Sequence, residues 1–284
     1  MSTTPTKAPD APLEETEAQH QGVTPGERVR VGDLHGWRRV AHYATMPILL
    51  LIVVGALALW VGGQELDSIE QRELQREIIV EQTIRHIALA LWSTFFVLIL
   101  AVPLGIFATR PKTRKYAPTI IGLGNAGQAI PSLGLLALIF YLFRVIPGLP
   151  STGVVPVVAA LTAYSFLPIL RNTMVGLDAV NRDVLEAGSG MGMSTRQVLW
   201  RLELPLAVPV ILAGVRTALV LNVGTATLAY LFGAGGLGAI IFSGFQLQRT
   251  PVLMTGSILT AVLALSIDYI AGLIEEWLTP RGLD

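Results

Sequence analysis

The chain has 284 residues, of which 52% are hydrophobic and 14% charged, and its formal net charge is zero. Soluble domains carry roughly 25% charged residues, so this composition belongs to a membrane protein, and a neutral chain offers no bulk field for nucleic acid. There is no cysteine, which excludes disulfides, thiolate metal sites and a cysteine nucleophile.

Residues 1–35 are polar and hold too few large apolar groups to offset the entropy of ordering, so a disordered leader is expected, with its boundary near residue 40. The first apolar run starts near Met46, too late for a secretory signal, whose apolar region falls within roughly the first 30 residues. Ala56-Leu57-Ala58 imitates a cleavage site, but Met46–Val61 reads better as an uncleaved anchor.

A membrane span needs about 20 mainly apolar residues to cross ~30 Å of hydrocarbon. Six stretches qualify: approximately 43–62, 87–109, 117–143, 154–175, 205–231 and 252–277. The expected fold is therefore an all-α polytopic membrane protein of about six transmembrane helices. Residues 41–83 supply the first helix and an extracytoplasmic connection, 84–277 the core, and 278–284 a tail. The fifth stretch runs into FGAGGLGAIIFSGF, whose glycines allow a broken or re-entrant piece.

The basic residues set the orientation. With the N-terminus inside, the inner side holds Lys7, Arg28, Arg30, Arg38, Arg39, Arg110, Lys112, Arg114, Lys115, Arg171, Arg182, Arg196, Arg201 and Arg281. The outer side holds only Arg72, Arg76, Arg85, Arg144 and Arg249. Fourteen against five obeys the positive-inside rule, which predicts cytoplasmic termini in a multi-pass membrane protein. Trp37, Trp60, Trp92 and Trp277 fall near span ends, where amphipathic rings anchor.

In the third span, Asn125, Gln128 and Ser132 follow i, i+3, i+7 spacing and share a helix face, with Pro131 expected to kink it. Such a stripe either lines a substrate path or makes interhelical hydrogen bonds. Thr162 with Ser165, and Asn222 with Thr225, form shorter stripes of the same kind. Arg216 and Asp268 are the charges placed inside spans, ~16 Å and ~13 Å from the inner ends. A lone central charge costs roughly 2.5–3.5 kcal/mol. The two either pair, share a wet cavity, or leave Arg216 to snorkel or bond backbone carbonyls.

Between the fourth and fifth spans, on the inner side, lies RDVLEAGSGMGMSTRQVLWRLELP, Arg182 to Pro205. Two short helices are expected, 183–188 and 194–204, around a Gly-Met-Gly-Met joint, with Pro205 closing the segment. Asp183 with Glu186, and Ser194 with Gln197, fit capping boxes. A plain return loop needs no such caps, whereas a rigid knob presented to another protein does.

Enzyme signatures fail. His20, His35, His42 and His86 lie outside the central spans, and none belongs to a metal-binding pair at helical spacing. Gly233-Ala-Gly-Gly-Leu-Gly238 matches GxGxxG without a βαβ context, and the next acidic residue is Asp268, too far for a ribose contact. A flexible turn or close helix packing is the plainer reading. There is no GxxxxGK[ST], so any ATP that drives the protein is bound by another polypeptide.

The polar segment resembles the cytoplasmic motif of permease subunits of binding-protein-dependent ABC importers of type I: EAA, three residues, Gly, nine residues, Ile-x-Leu-Pro. Here Glu186-Ala187-Gly188 is followed by Gly192 and then Leu202-Glu203-Leu204-Pro205, with Gly for the second Ala and Leu for Ile. QAIPSLGLLAL, LPILRNTMVGL, LPLAVPVILAGVRTA and GTATLAYLFGAGGLG are similar to the osmoprotectant branch, permeases for glycine betaine, choline, carnitine and related compounds. The resemblance covers roughly residues 84–277. It implies a five-helix permease core with one extra N-terminal helix, and a pair of such subunits, identical or paralogous. It also implies two cytoplasmic ATPase subunits that hold ATP and magnesium, none of it in this chain, and an extracytoplasmic binding protein. The chain ends at Asp284, seven residues after Trp277, so no fused binding domain is expected.

On this resemblance Glu186, Ala187, Gly188, Gly192, Leu204 and Pro205 couple the permease to the ATPase. Short side chains at Ala187, Gly188, Gly190 and Gly192 allow close approach to a groove on that partner. Glu186 either bonds across the contact or caps its own helix. Asn125, Gln128, Pro131, Ser132, Asn222 and Thr225 are the path candidates, and Arg216 with Asp268 the candidate intramembrane pair. A secondary transporter or channel for a small polar solute is the alternative, but it more often shows inverted repeats or several midplane carboxylates. A non-transporting scaffold has no need of a kinked polar helix.

Overall fold

The computed structural model describes residues 37–279, with side chains from Tyr43 onward. The expectations for the leader before Trp37, for His20 and His35, for the side chain of His42, and for the tail beyond Thr279 lie outside the described residues. The chain divides into two units, 1–45 and 46–284. Of the first, the described part is the opening of α1 (Trp37–Gly62). This helix starts inside the stretch assigned to the leader. Neither glycine nor proline stands between Gly36 and Pro47 to stop it growing back from the apolar run.

The second unit begins within α1. α2 (Ser68–Glu73) follows, opened by a capping box in which Asp67 and Glu70 satisfy each other's backbone N–H groups. α3 (Arg76–Thr109) starts well before the expected span, so His86 lies within the helix. Its buried residues, among them His86, Leu89, Ser93, Val97, Ala101 and Ala108, recur every three or four positions and form one stripe.

A 3₁₀ turn (Arg114–Tyr116) leads to α4 (Ala117–Ala129), and α5 (Ser132–Val145) follows at an angle of 105°. The third span is therefore a broken pair, and Pro131 breaks the helix instead of kinking it. Ile130, which precedes the proline, is pushed to an extended conformation with ψ 130° because the proline ring disfavours α geometry there. Ser132 thus opens a new helix and leaves the face shared by Asn125 and Gln128.

α6 (Val154–Asp178) is the central helix, buried on several sides. α7 (Arg182–Gly190) and α8 (Thr195–Val198) form the polar segment. A π-helical turn (Leu199–Glu203) joins α8 to α9 (Leu204–Ala226). A 3₁₀ stretch (Thr227–Phe232), a glycine turn, α10 (Gly238–Gln246) and α11 (Thr250–Leu278) complete the order. Five helical stretches among the described residues are long and apolar enough to cross a membrane, and the broken pair makes a sixth.

The core is where α3, α6 and α9 meet, and small residues set the distance. A Cβ on Gly105 would lie 2.7 Å from Thr173 Cγ2, and one on Gly214 would lie 2.7 Å from Asn172 Cβ and 3.0 Å from the Pro168 carbonyl. Apolar attraction alone does not select one helix pairing in lipid, where the surroundings are equally apolar. Close backbone approach through small residues does. Val97, Ala101, Leu167, Leu170 and Ala218 fill one layer of this core, and Leu89, Val157, Leu161 and Ala226 another.

Candidate functional site

α7 is capped by Asn181, whose side chain accepts from Asp183 N–H at 2.9 Å. The box expected between Asp183 and Glu186 is not formed: Asn caps as well as Asp, and Asn181 starts the helix first. Glu186 and Ala187 are exposed on this helix. Its C-terminal end is a Schellman motif. Gly192 N–H donates to Ser189 O at 3.0 Å, and Met193 N–H to Gly188 O at 3.1 Å, with Gly192 at φ +86°.

The two motif glycines therefore do different work. Gly188 is buried, and a Cβ there would lie 2.5 Å from Leu202 Cδ1, so it seats α7 on the π turn and is unavailable for approach by a partner. Gly192 has nothing within 4 Å of a built Cβ, and its requirement is backbone conformation.

The box at Ser194 is present, with Ser194 N–H donating to Gln197 Oε1 at 2.8 Å and Gln197 N–H to Ser194 Oγ at 3.4 Å. Beyond it Pro205 does not end the helix. Leu204 N–H donates to Leu199 O, five residues back. The wider π turn absorbs a proline that lacks an N–H and whose ring would crowd the carbonyl four residues earlier.

Two arginine–carboxylate pairs hold this segment, and neither was singled out by motif. Arg110 donates through Nη1 and Nη2 to the two oxygens of Glu203 at 3.1 and 2.5 Å. Glu203 is 8% exposed. Arg114 forks onto Asp178 at 3.1 and 3.0 Å in a more exposed setting. The available signal was Glu203 itself, an acidic residue between Leu202 and Leu204 at the head of an apolar span.

Within the spans, Arg216 donates to Asp268 through Nε at 2.5 Å and Nη2 at 2.7 Å. Glu275 lies 3.7 Å from Nη1, two turns further along α11. The three side chains are only partly covered by their own chain.

The path candidates scatter. Asn125 is exposed and accepts from Arg171 Nη2 at 2.9 Å. Gln128 is half-buried on the same helix, while Pro131 and Ser132 lie across the break. Asn222 is fully buried and donates to Thr94 Oγ1 at 3.0 Å, an interhelical bond between α9 and α3. Thr225 is half-buried one turn further on. Thr162 and Ser165 bond carbonyls one turn back in their own helix. An open groove of about 760 Å³ lies along α3, α4 and α6, lined among others by Trp92, Phe96, Gly127, Thr162 and Phe166.

In the half of α3 away from Arg110, His86 is fully buried. Its Nε2 lies 2.9 Å from Val223 O and so carries the proton, while Nδ1 accepts from Leu237 N–H at 3.2 Å. Gln82, one turn earlier, accepts from Gly236 N–H at 2.8 Å. Hydropathy set the span start at 87 and so left this Gln-x-x-x-His pair outside. The turn it holds carries Gly233, Gly235 and Gly236 at positive φ, and it binds protein side chains where the GxGxxG pattern would hold a phosphate.

The family of binding-protein-dependent transport system inner membrane components matches residues 101–282. The choline transport system permease protein OpuBB of Bacillus subtilis (strain 168) is 42% identical over 205 residues, 72% of this chain and 90% of its own length. The osmoprotectant import permease protein OsmY of Salmonella typhimurium is 38% identical over 237 residues, 84% of this chain and 94% of its own. Among solved structures, an inward-facing conformation of the MetNI methionine ABC transporter is similar with a TM-score of 0.63 at 26% identity, over 71% of this chain and 96% of that one. The family match takes in everything from the end of α3 through α11, including the segment with its Schellman turn and π turn, and this chain belongs to the binding-protein-dependent transport system inner membrane components, the permease subunits of ABC importers.

Proposed function

We propose that this chain forms the membrane path of an ATP-driven importer for an osmoprotectant such as glycine betaine, choline or carnitine. The observation that carries this reading is 42% identity to a choline permease and 38% to an osmoprotectant permease, each over nine-tenths of the relative. A binding protein delivers the solute outside, two ATPase subunits hold ATP and magnesium inside, and a second permease, identical or paralogous, completes the path. With no nucleotide site of its own, the chain acts as a transport subunit without catalysis. The excess of basic residues on one side of the spans supports cytoplasmic termini and a cytoplasmic α7–α8 segment.

In this reading α7 and α8 dock on the ATPase. Glu186 and Ala187 offer the exposed contact, Gly188 and Gly192 give the segment its shape, and Leu204 and Pro205 join it to α9. A motor biases alternating access only if its contacts differ between the two states of the permease, and this segment is where such contacts fall. Arg216 and Asp268 stand on a wetted wall of the path or at the face of the second permease, since lipid tails do not cover half-exposed charge. Asn125 and Gln128 belong to the same path, and the Asn222–Thr94 bond stiffens its wall.

The test is reconstitution with the ATPase and binding protein and measurement of ATP-dependent uptake of labelled choline, glycine betaine and carnitine. Uptake of at least one supports the reading. ATP-independent uptake by the chain alone would return it to a secondary transporter.

A further inference from the structure

The π turn Leu199–Glu203 sits between α8 and α9, and so between the segment read as docking on the ATPase and the span that continues from it. A π turn interrupts the regular hydrogen-bond ladder of a helix, is one of the places where helices kink, and is frequent at functional sites. Left free, it would bend under a push on α7–α8, and the stroke would be lost before reaching the bundle. One residue of this joint is fixed from outside: Glu203 is 8% exposed and takes both terminal nitrogens of Arg110. A guanidinium fork on a carboxylate fixes orientation as well as distance. The fork is itself braced, because Arg110 Nε donates to Ile106 O at 3.3 Å and Nη2 lies 3.4 Å from Thr109 Oγ1.

Four residues along, Arg114 grips Asp178, the last residue of α6. The short turn Arg110–Arg114 thus holds both roots of the segment, the root at α6 and the root at α9. Its two grips are unequal. The Arg114–Asp178 side chains are 61% and 42% exposed and the Arg110–Glu203 side chains 28% and 11%, so solvent screens the first pair more.

From Arg110, α3 runs back through its close contact at Gly105–Thr173 to the Gln82 and His86 grips on the glycine turn. Gln82 and Arg110 are about 42 Å apart along the helix at 1.5 Å per residue. One helix therefore touches the coupling segment at its inner end and the outer glycine turn at its other end.

We propose that Arg110 and Glu203 are positioning residues for transport: their fork locks the π turn to α3, so that motion of α7–α8 reaches the outer glycine turn instead of being spent in bending the joint. The proposal rests on the reading of α7–α8 as the ATPase-docking segment. Neither residue touches solute or nucleotide; they act by keeping a soft joint stiff.

A structural role and a transmission role separate in one ratio, solute imported per ATP hydrolysed. Loss of folded complex lowers both rates together and leaves the ratio unchanged, whereas a bending joint lets hydrolysis continue and lowers the ratio. The experiment uses the full complex with its ATPase and binding protein in liposomes. Glu203→Gln and Arg110→Gln are each expected to cut the ratio at least fivefold, with the ATPase still copurifying. The double variant is expected to fall no further than either single, because the second change removes a fork already broken. Arg110→Lys, which keeps the charge but loses the fork, is expected to fall between wild type and Arg110→Gln.

A wild-type ratio in the single variants overturns the proposal, as does a proportional loss of both rates or a double variant in which the two losses multiply. If the Gln variants do not accumulate, Arg110→Lys decides: a wild-type ratio there overturns it, and a reduced ratio supports it. Failure of the docking reading looks different, as an ATPase that does not copurify with the wild-type chain.

Discussion

Arg216 and Asp268 meet across α9 and α11 through two hydrogen bonds of 2.5 and 2.7 Å, a two-point ion pair inside two apolar spans. Removing one member of a buried pair strands the other and costs roughly 3–5 kcal/mol, whereas replacing both by apolar groups is often neutral. Here the side chains are 39% and 32% exposed, so screening brings the cost of a single change down toward ~1 kcal/mol. Asp268→Asn and Arg216→Gln are each expected to lower the melting temperature of the detergent-solubilised chain. Arg216→Leu/Asp268→Leu should melt above both, and a double variant melting below both singles would argue against the pair as a stabilising unit.

The two glycines of the α7–α8 motif separate by substitution. Gly192→Val meets no neighbour but forces a β-branched residue to φ +86°, at roughly 1–2 kcal/mol. Gly192→Asn tolerates that region and should retain ATPase association and uptake, whereas Gly192→Val loses both. Gly188→Val meets the end of the Leu202 side chain, which must swing aside to admit it, so its effect is on packing and not on backbone conformation. Equal loss in Gly192→Asn and Gly192→Val would show that smallness, not conformation, is what the position requires.

Most of the architecture was legible because lipid imposes a coarse rule, a run of about 20 apolar residues per span, and composition obeys it. The third span shows where that rule stops. Hydropathy averages across Ile130-Pro131 and sees one stretch, while the steric demand of a proline on the residue before it turns the chain by 105°. Asp183 and Glu186 fit a capping pattern that Asn181 pre-empted, a competition between two good caps that spacing does not decide. Gly188 and Gly192 could be read as small but not as one buried and one left-handed, since that depends on where Leu202 comes to lie. Arg110–Glu203 and His86–Leu237 join residues 93 and 151 positions apart, and although Glu203 stands out as an acid at the head of an apolar span, nothing local names the partner in either pair.

Gly214 and Gly224 lie in the same helix and predict opposite results. A side chain at Gly214 meets Asn172 and the Pro168 carbonyl, which pushes α9 off α6. At Gly224 nothing lies within 4 Å, so a side chain enters open space and gains helix propensity of up to ~1 kcal/mol. Gly214→Leu is expected to abolish accumulation of folded chain in the membrane, while Gly224→Leu accumulates at or above the wild-type level. Membrane-fraction immunoblots compare them directly. Comparable loss in both would mean that close α6–α9 approach does not organise the core.

His86 predicts an effect at a distance from its own helix. Replacement by Leu keeps the volume apolar but strands the Val223 carbonyl and the Leu237 N–H, at roughly 1–3 kcal/mol for each group left buried without a partner. The loss should appear as faster hydrogen exchange and earlier proteolysis between residues 233 and 238, where three glycines at positive φ hold little structure of their own. Gln82→Ala frees only the Gly236 N–H, in a less buried place, and is expected to raise exchange there by a smaller factor. The order of the two variants is the discriminating result. If Gln82→Ala opened the turn more than His86→Leu, the turn would depend on its rim contact, and the buried imidazole would be a filler of the core. If His86→Leu dominates, α3 holds the glycine turn through a residue that bonds both the end of α9 and the start of α10, and the turn moves when α3 does.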